Sequence, residues 1–229
     1  MSSSPYPTHC RPVLCRKTVL ALATVCSLFI GNSALAGPMG FKDSTMFMGD
    51  FSSNWREASA NYAVTPRDAL GMSTLYMRND DKTLTREMAE LTYTRLLKRW
   101  NFPSAQLNIW LPVGAGEIRG NDFSDRRTVF TPGLQMDFET QRIYFATNYR
   151  AYRAEDINHD FSSVRSGFSF YETGYNETQP WLIVEARRMH DLSDETEITP
   201  MLRFINKRYF VELGYSSTDE ARFNIMYIF

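Results

Sequence analysis

From Gly37 to the C-terminus, apolar and polar residues alternate with a period of two, and polar turns break the pattern at short intervals. Apolar stripes at helical spacing are absent. The alternation divides the chain into segments 44–51, 55–65, 71–78, 85–99, 105–118, 127–138, 142–153, 162–175, 180–189, 195–204, 208–216 and 220–229. These predict about twelve antiparallel strands. The pattern is clearest in the second half. Phe130, Leu134, Met136 and Phe138 share one face, with Thr131, Gly133, Gln135 and Asp137 on the other. Tyr209, Val211, Leu213 and Tyr215 likewise oppose Glu212, Gly214 and Ser216.

Two architectures produce such a pattern. A soluble sandwich buries the apolar face of each sheet, whereas a membrane barrel turns that face to lipid and the polar face to a lumen. Several segments are long enough to cross a bilayer at a tilt. Their polar faces carry charges and glycines together. Tyr62, Trp100, Phe102, Phe138, Tyr144, Tyr175, Trp181, Phe204 and Tyr209 gather at strand ends, as an interfacial aromatic girdle would. The turns assigned to one end (66–70, 101–104, 139–141, 176–178 and 205–207) are all short. The opposite end receives longer polar loops, including Arg119–Arg126 and Ala154–Phe161. The expectation is an all-β, transmembrane, up-and-down antiparallel barrel.

The first 36 residues read differently. Arg11, Arg16 and Lys17 precede an apolar run from Thr18 to Ile30, and Ala34-Leu35-Ala36 follows. The run is too short for a spanning helix, which needs about 20 residues. Basic, apolar and small-residue parts in this order make a secretory signal peptide cleaved near Ala36. Residues 1–36 are thus the expected signal and 37–229 the barrel. Cys10, Cys15 and Cys26 all fall in the removed segment, leaving a processed chain without thiol chemistry. That chain keeps 22 Lys and Arg against 26 Asp and Glu, a net charge near −4. Mild acidity with scattered charge argues against a nucleic-acid partner.

The last residues alternate as Phe223, Ile225, Tyr227 and Phe229, opposite Arg222 and Asn224. This ending resembles the C-terminal assembly signal of Gram-negative outer-membrane β-barrel proteins. The close match covers about ten residues. The resemblance implies an outer-membrane location, outer-membrane lipid as surroundings, and recognition of the last strand by the barrel-assembly machinery. It names no subfamily.

Strand parity sends Arg150, Arg187, Arg203 and Arg222 to the lumen from the seventh, ninth, tenth and twelfth strands, and Glu57, Glu90 and Asp137 from the second, fourth and sixth. This places bases mainly on one wall and acids mainly on the other, with Glu185 and Glu212 able to neutralise neighbouring arginines. The first functional expectation is a narrow passive channel for small polar or anionic solutes. The alternative is a structural or surface barrel whose lumen is closed by salt bridges.

Other chemistry is weaker. His159-Asp160 and His190-Asp191 fall in expected outer loops, where a hydrolase could place a general base, but no catalytic spacing accompanies them. Met39, Met46 and Met48 could offer thioethers to Cu(I), although Met46 and Met48 share a strand face expected to meet lipid. Gly114 and Gly116 read as a backbone bend near a strand end, and Asn176-Glu177-Thr178 as a turn. No cofactor or metal motif is present in the sequence.

Overall fold

A computed structural model describes residues 37–174, 176–193 and 195–229. The expected signal segment, residues 1–36, lies outside the described residues, as does Tyr175. Among the described residues there are twelve strands and no helix. They are β1 (Thr45–Phe51), β2 (Trp55–Ala63), β3 (Asp68–Arg78), β4 (Thr85–Asn101), β5 (Ala105–Gly120), β6 (Arg127–Thr140), β7 (Ile143–Ala154), β8 (Ile157–Ser169), β9 (Gln179–His190), β10 (Glu197–Asn206), β11 (Tyr209–Tyr215) and β12 (Ala221–Ile228). Each pairs antiparallel with its sequence neighbours.

The cylinder closes through β1 and β12, in register from Met46↔Ile228 to Phe51↔Phe223. Closure gives every edge N–H and C=O a partner, a condition hydrocarbon imposes because it offers no water. Phe229 donates its backbone N–H to Thr45 at 2.8 Å. The alternate residues Phe223, Ile225, Tyr227 and Phe229 face outward, where Tyr227 packs between Tyr209 and Phe229 at 4.5 and 4.6 Å.

Alternation sorts the side chains by face. Leu70, Met72, Leu91, Phe130, Leu134, Ile143, Val164, Val184, Leu202 and Leu213 are exposed on the outer wall, with Leu91 reaching 71%. Such an extensive apolar surface belongs against hydrocarbon, and the fold is a membrane-spanning barrel. A bulge between Leu96 and Lys98 in β4 reverses the parity, so that Arg99 turns inward to Asn108 and Trp100 outward.

Several expectations need correction. Tyr62, Trp100, Phe102, Phe204 and Tyr209 are exposed as a girdle requires, but Tyr144 and Trp181 are buried inside the barrel. An aromatic at a strand end says nothing about its face until the strand's start is known. The eighth segment was expected at 162–175, whereas β8 spans Ile157–Ser169. The expected long outer loop from Ala154 is therefore only a two-residue turn, Glu155-Asp156, with Asp156 in the left-handed region at φ 57°. At the other end, residues 170–178 form a nine-residue connection instead of a short turn. The end where β1 begins and β12 finishes is the inner end, and the opposite one the outer end.

Gly116 shows how closely the wall is drawn. A Cβ there would strike the Ala89 carbonyl oxygen and lie 2.5 Å from Glu90 Cα, both backbone groups that cannot swing aside. Gly116→Val is therefore expected to break the β4–β5 pairing. The check is heat-modifiable gel migration after refolding in detergent, where the variant should lose the compact band that wild type keeps.

Candidate functional site: a lumen of paired charge

All nine lumen candidates point inward, and seven of them stand in ion pairs: Glu90, Arg150, Glu185, Arg187, Arg203, Glu212 and Arg222. β8 to β12 and β1 carry a continuous network of four guanidiniums and four carboxylates: Arg165, Arg187, Arg203 and Arg222 with Asp50, Glu185, Glu197 and Glu212. Arg165 donates from Nε to Glu185 at 2.8 Å and from Nη1 to Glu212 at 3.3 Å. Arg222 donates from Nη2 to both oxygens of Asp50 at 3.0 and 2.9 Å and to Glu185 at 3.2 Å. Its Nη1 reaches Glu197 at 3.3 Å. Arg187 donates from Nε to Glu197 at 2.5 Å. Arg203 donates from Nε to Glu212 at 2.7 Å, with its guanidinium between the Tyr144 and Phe210 rings at 4.3 and 4.6 Å. Charges taken out of water persist only with such partners.

The expected separation of bases from acids across the lumen is therefore wrong. The supposed basic wall carries as many carboxylates as arginines within this network. Two of them, Asp50 and Glu197, were not singled out from the sequence, and neither was Arg165, the bridge between Glu185 and Glu212. Parity would have found Arg165, because Val164 and Phe168 mark the outer face of the same strand.

On the other wall, Glu90 of β4 reaches Arg150 of β7. Arg150 Nη2 donates to Glu90 at 2.5 Å and to Thr131 at 3.0 Å, while Ser73 donates to Glu90 at 2.8 Å. The carboxylate crosses β5 at Gly114, where any Cβ would collide with it. Gly114 lies within β5 and clears this crossing, a role that a bend near a loop did not anticipate. Asp137 is held differently, by Asn108 Nδ2 at 2.7 Å and Trp110 Nε1 at 2.5 Å. Glu57 faces a central chamber.

That chamber has a volume of about 270 Å³ and extends from Gly37 and Pro38 to Trp55 and Phe161. Ser59, Asn61, Ser73, Thr92, Thr94, Gln135 and Asn148 line one side together with Glu57 and Arg150, and Asp50, Arg165, Glu185, Arg203 and Asn224 line the other. Beyond it, Trp55, Leu75, Met77, Met88, Ile118, Val129, Tyr152, Ile157, Phe161, Met189 and Leu192 pack into one apolar plug. Eight consecutive strands contribute. Trp55 and Phe161, from the opposite strands β2 and β8, meet with ring centroids 5.0 Å apart. The 121–126 connection folds onto this plug through Phe123. Arg86 clamps it by donating to Asp122 from Nη1 at 2.5 Å and from Nη2 at 2.9 Å.

The histidines and methionines also move from their expected places. His159 lies in β8 and is buried inside, while Asp160 points outward to Arg153 at 2.5 Å and Tyr149 at 2.9 Å. Adjacent strand residues project to opposite faces, so this dipeptide cannot work as one site. His190 closes β9 and lies 3.8 Å from Asp191 at the outer end. Met46 is buried in the interior and Met48 lines the chamber, so neither meets lipid. Among the described residues no cluster of three or more His, Cys, Asp or Glu is placed to hold a metal ion.

No protein-family model matches the chain, and no curated protein does. Among solved structures, the KdgM porin in complex with disordered oligogalacturonate is 12% identical, with a TM-score of 0.48, covering 81% of this chain and 98% of that one. A second KdgM porin structure gives 11% identity and a TM-score of 0.47 over the same shares. A loop L8 deletion mutant of OmpT, an outer membrane protein of Vibrio cholerae, is 9% identical with a TM-score of 0.29, covering 81% of this chain and 97% of that one.

Two predictions follow from the geometry. Arg165→Met removes the guanidinium between two buried carboxylates, each of which keeps a second arginine. The expected loss is about 3 kcal/mol, at the low end for breaking a buried pair. Urea unfolding in lipid vesicles measures it, and an Arg165→Met, Glu185→Met double variant should recover part. The Asp122 clamp has a pH signature. Partial burial opposes ionisation of Asp122, but hydrogen bonds from Arg86 and its own backbone, and the Arg86 and Arg127 charges, outweigh it and hold the carboxyl below its ordinary value. A depressed carboxyl supports the closed form above the ordinary value and loses that support as pH falls through the lower one. A nitroxide at Ser124 should stay immobile from neutral pH down to about pH 4 and gain mobility below it, and Asp122→Asn should free it at neutral pH.

Proposed function

We propose that the chain is an outer-membrane conduit for small polar or anionic solutes whose resting form is shut at its outer end. The chamber carries this reading. It is a compartment in which hydroxyl, amide and charged side chains stand among apolar ones, in a barrel of a width between side-chain-filled and water-filled kinds. Its ion-paired side retains donor capacity for a ligand. A guanidinium has five N–H donors, and Arg165 uses three hydrogen bonds on Glu185 and Glu212. Hydroxyl and amide side chains opposite can complete the shell of a small solute. The C-terminal pattern ending in Phe229 and the apolar outer wall support the outer-membrane assignment.

The plug sets the conduit's resting state. Apolar side chains meeting across a lumen exclude water and ions, as hydrophobic constrictions do in channels. A second reading is a permanently closed surface barrel, and the balanced network of four bases and four acids favours it.

Planar-bilayer recording separates the two. Wild type should show small or rare conductance steps. A Trp55→Ala, Phe161→Ala double variant should raise conductance several-fold while keeping its heat-modifiable migration. If the folded, inserted double variant stays silent, the conduit is rejected in favour of the closed barrel.

A further inference from the structure

The outer wall contains a lateral trough that neither the lumen nor the plug explains. Its volume is about 700 Å³, and it lies across β2 to β5 near their outer ends. Register gives its construction. Ala58, Thr74, Ala89 and Glu117 are successive cross-strand partners; the first three form a floor of small groups and Glu117 ends the row on β5. The next row outward is Phe51, Arg56, Tyr76, Glu87 and Arg119, again partner to partner. The row on the other side holds Met72 and Leu91, exposed at 61% and 71%. An apolar channel thus runs beneath a charged ledge, between tall side chains.

Three arginines stand at the ledge with two outward carboxylates. Arg119 pairs with Glu87, and Arg126 with Glu117 at 3.0 Å. All four side chains are largely exposed, so these pairs contribute little and can yield to a stronger anion. Arg56 has no carboxylate partner among the described residues and lies over the Tyr76 ring at 5.4 Å. Arginine matches phosphate with paired N–H donors. From Arg56 on β2 to Arg119 on β5 there are three strand spacings, about 14 Å. That span suits a ligand with two separated phosphates better than one with a single phosphate headgroup.

From this we infer that the trough seats a bisphosphorylated, multiply acylated saccharide lipid of the outer leaflet, with phosphates on Arg56 and Arg119 and an acyl chain along Ala58, Thr74 and Ala89. This rests on the outer-membrane assignment, with the end opposite the termini facing outside, but is independent of whether the lumen conducts.

The test uses the refolded, detergent-solubilised barrel and native mass spectrometry with added hexa-acyl bisphosphorylated lipid A. Wild type should retain it. Arg56→Ala with Arg119→Ala should lower retention about tenfold, equivalent to about 1.4 kcal/mol. Ala58→Leu with Ala89→Leu, which fills the floor from the lipid side without touching the lumen, should do the same. Dephosphorylated lipid A should bind wild type no better than the arginine variant. Equal retention by all three proteins overturns the inference while leaving the membrane assignment intact. Equal retention of phosphatidylglycerol overturns the glycolipid in favour of a general anionic annulus. A barrel that fails to insert into vesicles overturns both.

Discussion

Everything in this barrel follows from closing the backbone hydrogen-bond ladder in a solvent that cannot hydrogen-bond. The β1–β12 pairing satisfies the last edges, and once the cylinder is shut each residue has one of two addresses. A side chain faces hydrocarbon or it faces its neighbours across a confined interior. Polarity and burial are thereby inverted relative to a water-soluble protein. Leu91 is exposed, while Glu212 and Arg222 are among the most enclosed side chains. Electrostatics inside then becomes a consequence of topology, because enclosed charge must find its partner within reach of the adjacent strands.

The interior divides along its length into regions with different physics. The outer part is a hydrophobic core made from the inward residues of β2 to β9, capped by the connection that brings Phe123 down. The middle holds the shared ion network on one side and, on the other, hydroxyl and amide side chains with Glu57 and the Glu90–Arg150 pair. At the inner end, Met39 packs with Ala63, Ala69, Leu96 and Trp110, so the segment before β1 is part of the filling. A twelve-strand barrel is too wide for side chains to fill throughout, and what remains is the chamber. Function in such an object depends on which region can rearrange without opening the ladder. Apolar packing is non-directional and can, whereas the ion network is directional and shared among six strands.

Much of this was legible from alternation. Strand number, order and the inward set Arg150, Arg187, Arg203, Arg222, Glu57, Glu90, Asp137, Glu185 and Glu212 follow from period two alone, because a strand has only two faces. The failures have the same origin. With the eighth segment starting five residues after the true start of β8, His159-Asp160 reads as a loop and a long connection falls at the outer instead of the inner end. Tyr144 and Trp181 were assigned by proximity to turns, though parity with Ala146 and Ile183 puts them inside. Pairing was not legible. Nothing in the local sequence says that Glu90 crosses β5 over Gly114 to meet Arg150, since this depends on which strands stand side by side and where a side chain is missing. The trough was invisible for a similar reason. Its floor assembles Ala58, Thr74 and Ala89 from three strands whose registers must all be known.

The balance of the ion network has a consequence for how such a protein can diversify. An interior neutral by matching, rather than by lacking ions, holds both signs in reserve. Losing a single carboxylate such as Glu212 would leave Arg203 and Arg165 with unmet positive field and create a pocket that recruits a small anion from outside. Losing one arginine would create the mirror image for a cation. New ligand preference could therefore arise by subtraction, one residue at a time, on a scaffold whose hydrogen-bonded wall need not change.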